Sequence, residues 1–402
     1  MRQPRGIVDG LSTAFRRFVA LESASTIVLL TATVVALALA NSPRRDVYEH
    51  ALHLPLSLGI GAFRLEMSLH HFVNDALMAI FFLLVGMEIK RELALGELSS
   101  PSRAALPAVG ALGGMLLPAA IYAALHAGTP TLRGWGIPMA TDIAFAVAAL
   151  GVFGARVPSG LKIFLLALAI IDDIGAVLVI AVFYSSELAL PFLGAAAAGL
   201  ALCGILGRTG VRSYGVYLGI GALVWYATYR SGIHATIAGV ALGLLTPARP
   251  LGGSDRSPID DLEHRLHGWV AFVIMPVFAL ANAGVSLDTS SLGDASAQRV
   301  ALGVALGLLL GKPVGVTLAA WLAVRLRIAQ LPSGVTWAQV VGAGLLAGIG
   351  FTMALFIGAL AFDEGPLVAG AKLGTLAASA LATGFGVYWL AAVLPRSGAR
   401  PS

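Results

Sequence analysis

Apolar residues in this chain gather in long unbroken runs separated by short polar knots, with no alternation at every second position. Twelve such runs lie near residues 21–41, 69–90, 103–126, 134–155, 159–184, 190–207, 212–229, 232–247, 267–285, 299–325, 336–361 and 367–394. Runs approaching or exceeding about 18 residues are long enough to cross a hydrocarbon core of about 30 Å as helices, at about 1.5 Å per residue. A transmembrane β-barrel would need alternation along each strand. The pattern therefore predicts an all-α integral membrane protein with 12 transmembrane helices.

Composition agrees: of 402 residues 58% are hydrophobic and only 12% charged, with a mean hydropathy of +0.87. A soluble domain carries about 25% charged residues. The first run follows a leader holding Arg2, Arg5, Arg16 and Arg17. It is longer than a signal-peptide core and lacks a clear cleavage site, so it reads as a retained helix. The expected organisation is a cytoplasmic segment 1–20, one transmembrane domain 21–394 and a cytoplasmic tail 395–402.

Most Lys and Arg residues fall on one alternate set of loops, which the positive-inside rule places in the cytoplasm together with both termini. That asymmetry accounts for the net charge of +5, so the charge is no nucleic-acid footprint. The longest outer connection, 42–68, has room for a small β-hairpin. The single cysteine, Cys203, allows no intramolecular disulfide and no cysteine metal set.

Four charges stand inside the apolar runs: Asp142, the adjacent pair Asp172 and Asp173 in 169-AIIDDIGAVLVIAVF-183, and Lys312. An Asp or Lys at a helix centre costs roughly 2.5 to 3.5 kcal/mol on an insertion scale, so such residues usually face a polar cavity and a partner. Counted from Leu161, Asp172 lies about 16 Å deep, near the midplane. Buried structural ion pairs are the plain reading of any one of these charges. Taken together, one lysine cannot neutralise three carboxylates, and at least one acid must be protonated, solvated or bound to a cation. Protons and a hard cation then compete for the same oxygens. Neighbours on a helix point about 100° apart, so one aspartate could hold the ion while the other contacts Lys312.

Two runs look interrupted. Thr141 and Asp142 follow Pro138, and the eleventh run carries the glycine-rich 342-GAGLLAGIGFT-352. Close helix packing through small residues explains such glycines equally well. Unwound backbone at membrane depth lines cavities, and paired interruptions in an early and a late half point to an inverted-repeat secondary transporter. No repeat is visible in the residues themselves.

The strings 140-ATDIAFA-146, 162-KIFLLALAIIDDIGA-176, 231-SGIHATIAG-239, 278-FALANAGVSL-287, 311-GKPVG-315 and 348-GIGFTM-353 resemble the NhaA-type Na+/H+ antiporters, from about residue 14 to 394. The resemblance implies a twelve-helix inverted-repeat fold with the fourth and eleventh helices broken and crossing. It implies electrogenic export of Na+ or Li+ against a larger number of entering protons, with no cofactor and no enzymatic activity. Asp173 and Asp172 match the family's cation and proton carboxylates, the expected Na+/Li+ ligands. Thr141 and Asp142 match the unwound stretch of the fourth span, where Asp142 compensates helix-end charge and helps the ion, so that both count with Asp172 and Asp173 among the expected cation- and proton-binding residues. Lys312 matches the balancing lysine that is proposed to pair with Asp172.

By the same resemblance a pH-sensing funnel at the cytoplasmic mouth combines Glu88, Arg91 and Glu92 with Glu263, His264 and His267. From spacing alone, Glu88, Arg91 and Glu92 share a helix face, for which a solvated charge run is the plain reading. Histidine titrates near neutral pH and suits a sensor. His234 matches a position affecting the pH response, and Asp75 an acid on the outer side of the second span. Expected partners are Na+, Li+, protons, the bilayer of a bacterial plasma membrane and a second copy contacted through 42–68, with no nucleic acid. A K+/H+ antiporter or a symporter is the alternative within transport. An intramembrane aspartyl protease is disfavoured, because its Tyr-Asp and Gly-x-Gly-Asp strings do not occur.

Overall fold

The structure, a computed structural model, describes residues 24–60, 63–185, 188–211, 213–250, 256–286, 293–362 and 365–395. The expected segment 1–20 and, apart from Pro395, the expected tail 395–402 lie outside these. Among the described residues eight helices are long and apolar enough to cross a membrane, or up to ten if two bent pairs each count as one span. Shorter helices at Tyr214–Arg230 and Thr236–Leu245 occupy the seventh and eighth apolar runs. Large apolar side chains such as Leu218, Leu178 and Val182 remain exposed on helix surfaces, as lipid-facing residues do.

Both interruptions are present. The fourth run folds as a tight 3-10 stretch Pro130–Met139, leaves helical geometry at 140–142 and resumes as Ile143–Gly151. The eleventh splits into Trp337–Ala347 and Phe351–Ala361, bent by 46°. Its glycines serve space more than backbone freedom. Gly348 and Gly350 have ordinary φ values of -68° and -87°, and a Cβ on Gly348 would sit 2.5 Å from the carbonyl oxygen of Leu308.

The helices Pro101–Leu125 and Ala295–Arg325 pack in near backbone contact. A Cβ on Gly113 would lie 2.3 Å from Gly315 O, and one on Gly315 would lie 2.2 Å from Gly113 O. Small residues permit this approach, and the contact is reciprocal.

Three differences from the apolar pattern matter for function. The ninth helix starts at Pro258, nine residues before the apolar run, because Ser257 and Asp260 form a capping box with Pro258 at the first helical position. Glu263, His264 and His267 therefore stand on a helix. Region 42–68 holds a short helix, Arg45–Leu52, before a two-stranded antiparallel sheet pairing Pro55 with Ser68 and Leu58 with Leu65. That helix is anchored by Tyr48 Oη donating to Leu280 O at 2.6 Å and Arg45 Nη1 to Ser286 Oγ at 3.1 Å. Finally, π turns interrupt three long helices at Val73–Leu77, Val270–Ile274 and Gly307–Gly311, a widening often found at functional positions.

Candidate functional site

The helix Ser159–Phe183 carries Asp172 and Asp173 near its middle, 0% and 1% exposed. Lys312, also 0% exposed, follows directly on the π turn Gly307–Gly311, and its Nζ donates to Asp172 Oδ2. Thr141 Oγ1, from the first break, lies 2.7 Å from the same oxygen and 2.8 Å from Ala347 O at the end of a half-helix. Two elements thus meet on Asp172 Oδ2, and Thr141 links them to a third.

The other side is bare. Asp172 Oδ1 and Asp173 Oδ1 are buried with no hydrogen-bond partner among the described residues. Leaving a buried polar group unsatisfied costs about 1–3 kcal/mol, and more when it is charged. Oxygens in that position suit a proton or a hard cation. Asp173 also lies within electrostatic reach of Asp172, Asp142, Glu88 and Lys312, an excess of acid over base. Among the described residues no group of three or more His, Cys, Asp or Glu gathers as a metal cluster, so further ligands for a cation would be hydroxyl or carbonyl oxygens.

Asp142 is engaged differently. Its Oδ1 accepts from Phe145 N at 3.1 Å, capping the half-helix Ile143–Gly151. Its Oδ2 accepts from Thr352 N at 3.1 Å and from Thr352 Oγ1, at the start of the half-helix Phe351–Ala361. One carboxylate therefore caps two positive helix ends. The Asp142 amide donates in turn to Ile349 O at 2.7 Å, so the two breaks are bonded in both directions.

The residues expected at a cytoplasmic funnel separate into distinct environments. Arg91 forms an ion pair with Glu263, and His267 lies within electrostatic reach of Arg91. Glu88, half-buried one turn earlier, reaches electrostatically toward Asp173. Glu92 turns to the backbone, its Oε2 accepting from Glu97 N at 3.0 Å, and His264 is exposed. His234 is not with them. Its Nε2 lies 3.2 Å from Asp75 Oδ1, and both residues line a separate cavity of about 660 Å³ with His70, Asn282 and Lys372. Phe356, another lining residue of that cavity, packs on Phe82 and Phe278, at 5.4 and 6.1 Å between ring centres.

Several polar residues of these sites drew no attention in the sequence. Thr352 lies inside 348-GIGFTM-353 and Asn282 inside 278-FALANAGVSL-287, strings already singled out. Asn282 Nδ2 donates to Asn74 Oδ1 at 2.8 Å, and Asn74 directly precedes Asp75. An uncharged polar residue next to a buried acid is the signal that would have found Asn74.

A multi-pass helical membrane protein whose buried acids and single buried lysine meet where two broken helices touch belongs to the class of secondary transporters. A family model described as Na+/H+ antiporter 1 matches residues 16–390, and the chain belongs to that family. Similar relatives include the Na(+)/H(+) antiporter NhaA 2 of Pseudomonas syringae pv. syringae, 52% identical with 93% of this chain and 94% of the relative covered. The Na(+)/H(+) antiporter NhaA 2 of Sorangium cellulosum is 48% identical over 90% of this chain and 86% of its own length. An NhaA of Escherichia coli is 47% identical over 93% and 97%. Among solved structures, the sodium proton antiporter MjNhaP1 from Methanocaldococcus jannaschii at pH 8 superposes with a TM-score of 0.52 at 17% identity, covering 96% of this chain and 97% of that one. At that identity the likeness speaks for the fold alone.

Proposed function

We propose that the protein is an electrogenic antiporter of a bacterial plasma membrane that expels Na+, and Li+, in exchange for a larger number of entering protons, serving sodium and pH homeostasis. The observation that carries this reading is the pair of buried, partnerless oxygens on Asp172 and Asp173. The family membership and the names of the relatives support it. Asp173 is the main cation ligand. Asp172 is shared between the ion and Lys312, and Thr141 adds a hydroxyl.

Thr141 also suggests how protonation is felt by the scaffold. Its hydroxyl has one proton to donate and two acceptors within reach, Asp172 Oδ2 and Ala347 O. With Asp172 ionised the hydroxyl donates to the carboxylate. Once Asp172 is protonated, its O–H donates to Thr141 and the hydroxyl turns to Ala347 O, which tightens the two breaks.

In the same reading the chain crosses the membrane twelve times as an inverted repeat, with both termini cytoplasmic and the two broken helices crossing near the midplane. The reciprocal Gly113 and Gly315 contact is of the kind expected where two such halves meet. Glu88, Arg91, Glu92, Glu263, His264 and His267 form the cytoplasmic mouth, where cations gather and pH is sensed. Asp75 and His234 belong to the outer side. The sheet of region 42–68 serves contact between two copies, and the transported ions need no cofactor.

The test uses everted vesicles with a fluorescent pH probe. Adding Na+ or Li+ should collapse a preformed proton gradient, and Asp173→Asn should abolish the response. Wild-type vesicles silent from acid to alkaline pH, or Asp173→Asn vesicles responding normally, sink the assignment. A response to K+ alone would move the protein to the alternative K+/H+ antiporter reading.

A further inference from the structure

The stretch Lys312–Arg325 turns one face outward: Val314, Leu318, Trp321 and Arg325, spaced by four, three and four residues, are all exposed. From Val314 to Arg325 the helix rises about 16 Å, close to one leaflet, half of a hydrocarbon core of about 30 Å. The apolar part of this stripe suits an acyl chain, and its last member is a cation at the level of the headgroups. Arg327 stands two residues on in a costly conformation. Its φ of 61° makes it the one non-glycine residue in the left-handed region among the described residues. Arg327 N donates to Val324 O at 3.0 Å and Ile328 N to Ala323 O at 2.9 Å, the helix stop in which that position is usually glycine. Strained backbone of this kind gathers at ligand clamps. Here it holds a second exposed arginine at the same helix end.

Neither guanidinium has a hydrogen bond or ion pair with a described residue. No Asp or Glu occurs between Asp294 and Asp363. The loop that follows packs on the start of the helix Ser159–Phe183, where a Cβ on Gly160 would lie 2.8 Å from Pro332, and the first turn of that helix holds Lys162 and no acid. Leu326 and Ile328, which alternate with the arginines, are exposed as well. Two unpaired cations among exposed apolar side chains call for a ligand that is an anion at one end and hydrocarbon at the other.

We propose that Arg325 and Arg327 bind the phosphate of an anionic phospholipid whose acyl chain lies along Trp321, Leu318 and Val314. Arginine matches phosphate through paired N–H donors. The choline of a zwitterionic lipid would add a cation to a site that already holds two, so the headgroup is one of net negative charge, such as phosphatidylglycerol. The site does not depend on which ion the protein carries.

The experiment follows thermal unfolding of the purified protein in a neutral detergent while phosphatidylglycerol, phosphatidylcholine or inorganic phosphate is added. A ligand bound by the folded state raises the unfolding temperature. Phosphatidylglycerol should do so, and the other two should not. The concentration giving half of the rise should increase about fivefold with Arg325→Gln or with Arg327→Gln, the change carried by one basic residue near an anionic membrane surface. Arg327→Gly should part the two roles of that residue. Without lipid it should unfold at a higher temperature than wild type, because glycine relieves the left-handed turn, and with lipid it should gain less. Arg249→Gln removes an exposed charge elsewhere and should respond as wild type. An equal rise from inorganic phosphate overturns the assignment to a lipid, and an equal rise from phosphatidylcholine overturns the role of the headgroup charge. A lipid response of Arg325→Gln and Arg327→Gln equal to wild type, or one weakened as much by Arg249→Gln, overturns the site itself.

Discussion

At the scale of single residues the centre is a buried ion pair with acid in excess. Lys312 and Asp172 are both fully buried, and Lys312 Nζ donates to Asp172 Oδ2. Removing one partner of such a pair leaves a buried charge uncompensated and costs about 3–5 kcal/mol, whereas replacing both can be close to neutral. Lys312→Gln should therefore lower the unfolding temperature in detergent markedly, and Lys312→Gln combined with Asp172→Asn should recover most of it. Equal unfolding temperatures for the single and double variants would contradict the pairing. These residues were legible in the sequence because a charge in an apolar run announces its own cost. Thr352 was not, since a threonine in such a run carries almost no penalty and marks nothing. The sharing of Asp142 between two helix ends was equally invisible, because it depends on contact between residues 142 and 352, which only the fold supplies.

At the scale of helices, long apolar runs fixed where helices lie but not how they are shaped. The three π turns have no counterpart in apolar patterning, and the early start of Pro258–Asn282 was hidden because its first turns are polar. The capping residues Ser257, Pro258 and Asp260 announce that start to a reading by caps, which a reading by hydropathy passes over. Glycines divide in the same way: their positions are visible, their reasons are not. Gly315→Ala places a Cβ 2.2 Å from Gly113 O, and only separation of the helices Pro101–Leu125 and Ala295–Arg325 relieves it. That variant should lose thermal stability and exchange rate together. Gly219→Ala, on Tyr214–Arg230 with nothing within 4 Å of the new atom, should be neutral or slightly stabilising, since alanine is favoured over glycine in a helix by about 1 kcal/mol. Thermal unfolding of the two purified variants side by side checks both, and an unaffected Gly315→Ala would show that the helix pair can yield.

At the scale of the whole molecule the acids sit between two unlike approaches. On one side Glu88, Arg91 and Glu263 stand in a charged cluster with electrostatic reach to Asp173. On the other, the cavity of Asp75 and His234 is lined by Phe356, which stands one turn, about 5.4 Å, beyond Thr352 on the same helix and packs on Phe82 and Phe278. Under the proposed topology, with both termini in the cytoplasm, the cavity would open outward and the charged cluster inward. The lone cysteine, Cys203, makes this testable, because it is buried and Cys203→Ala leaves a chain without thiols. His71, exposed at the cavity rim, and Ser99, exposed beside the Arg103 and Glu97 ion pair, then serve as reporters. A membrane-impermeant maleimide should label His71→Cys on intact cells and Ser99→Cys only in everted vesicles. The reverse pattern would invert the topology, and with it the direction of transport proposed above.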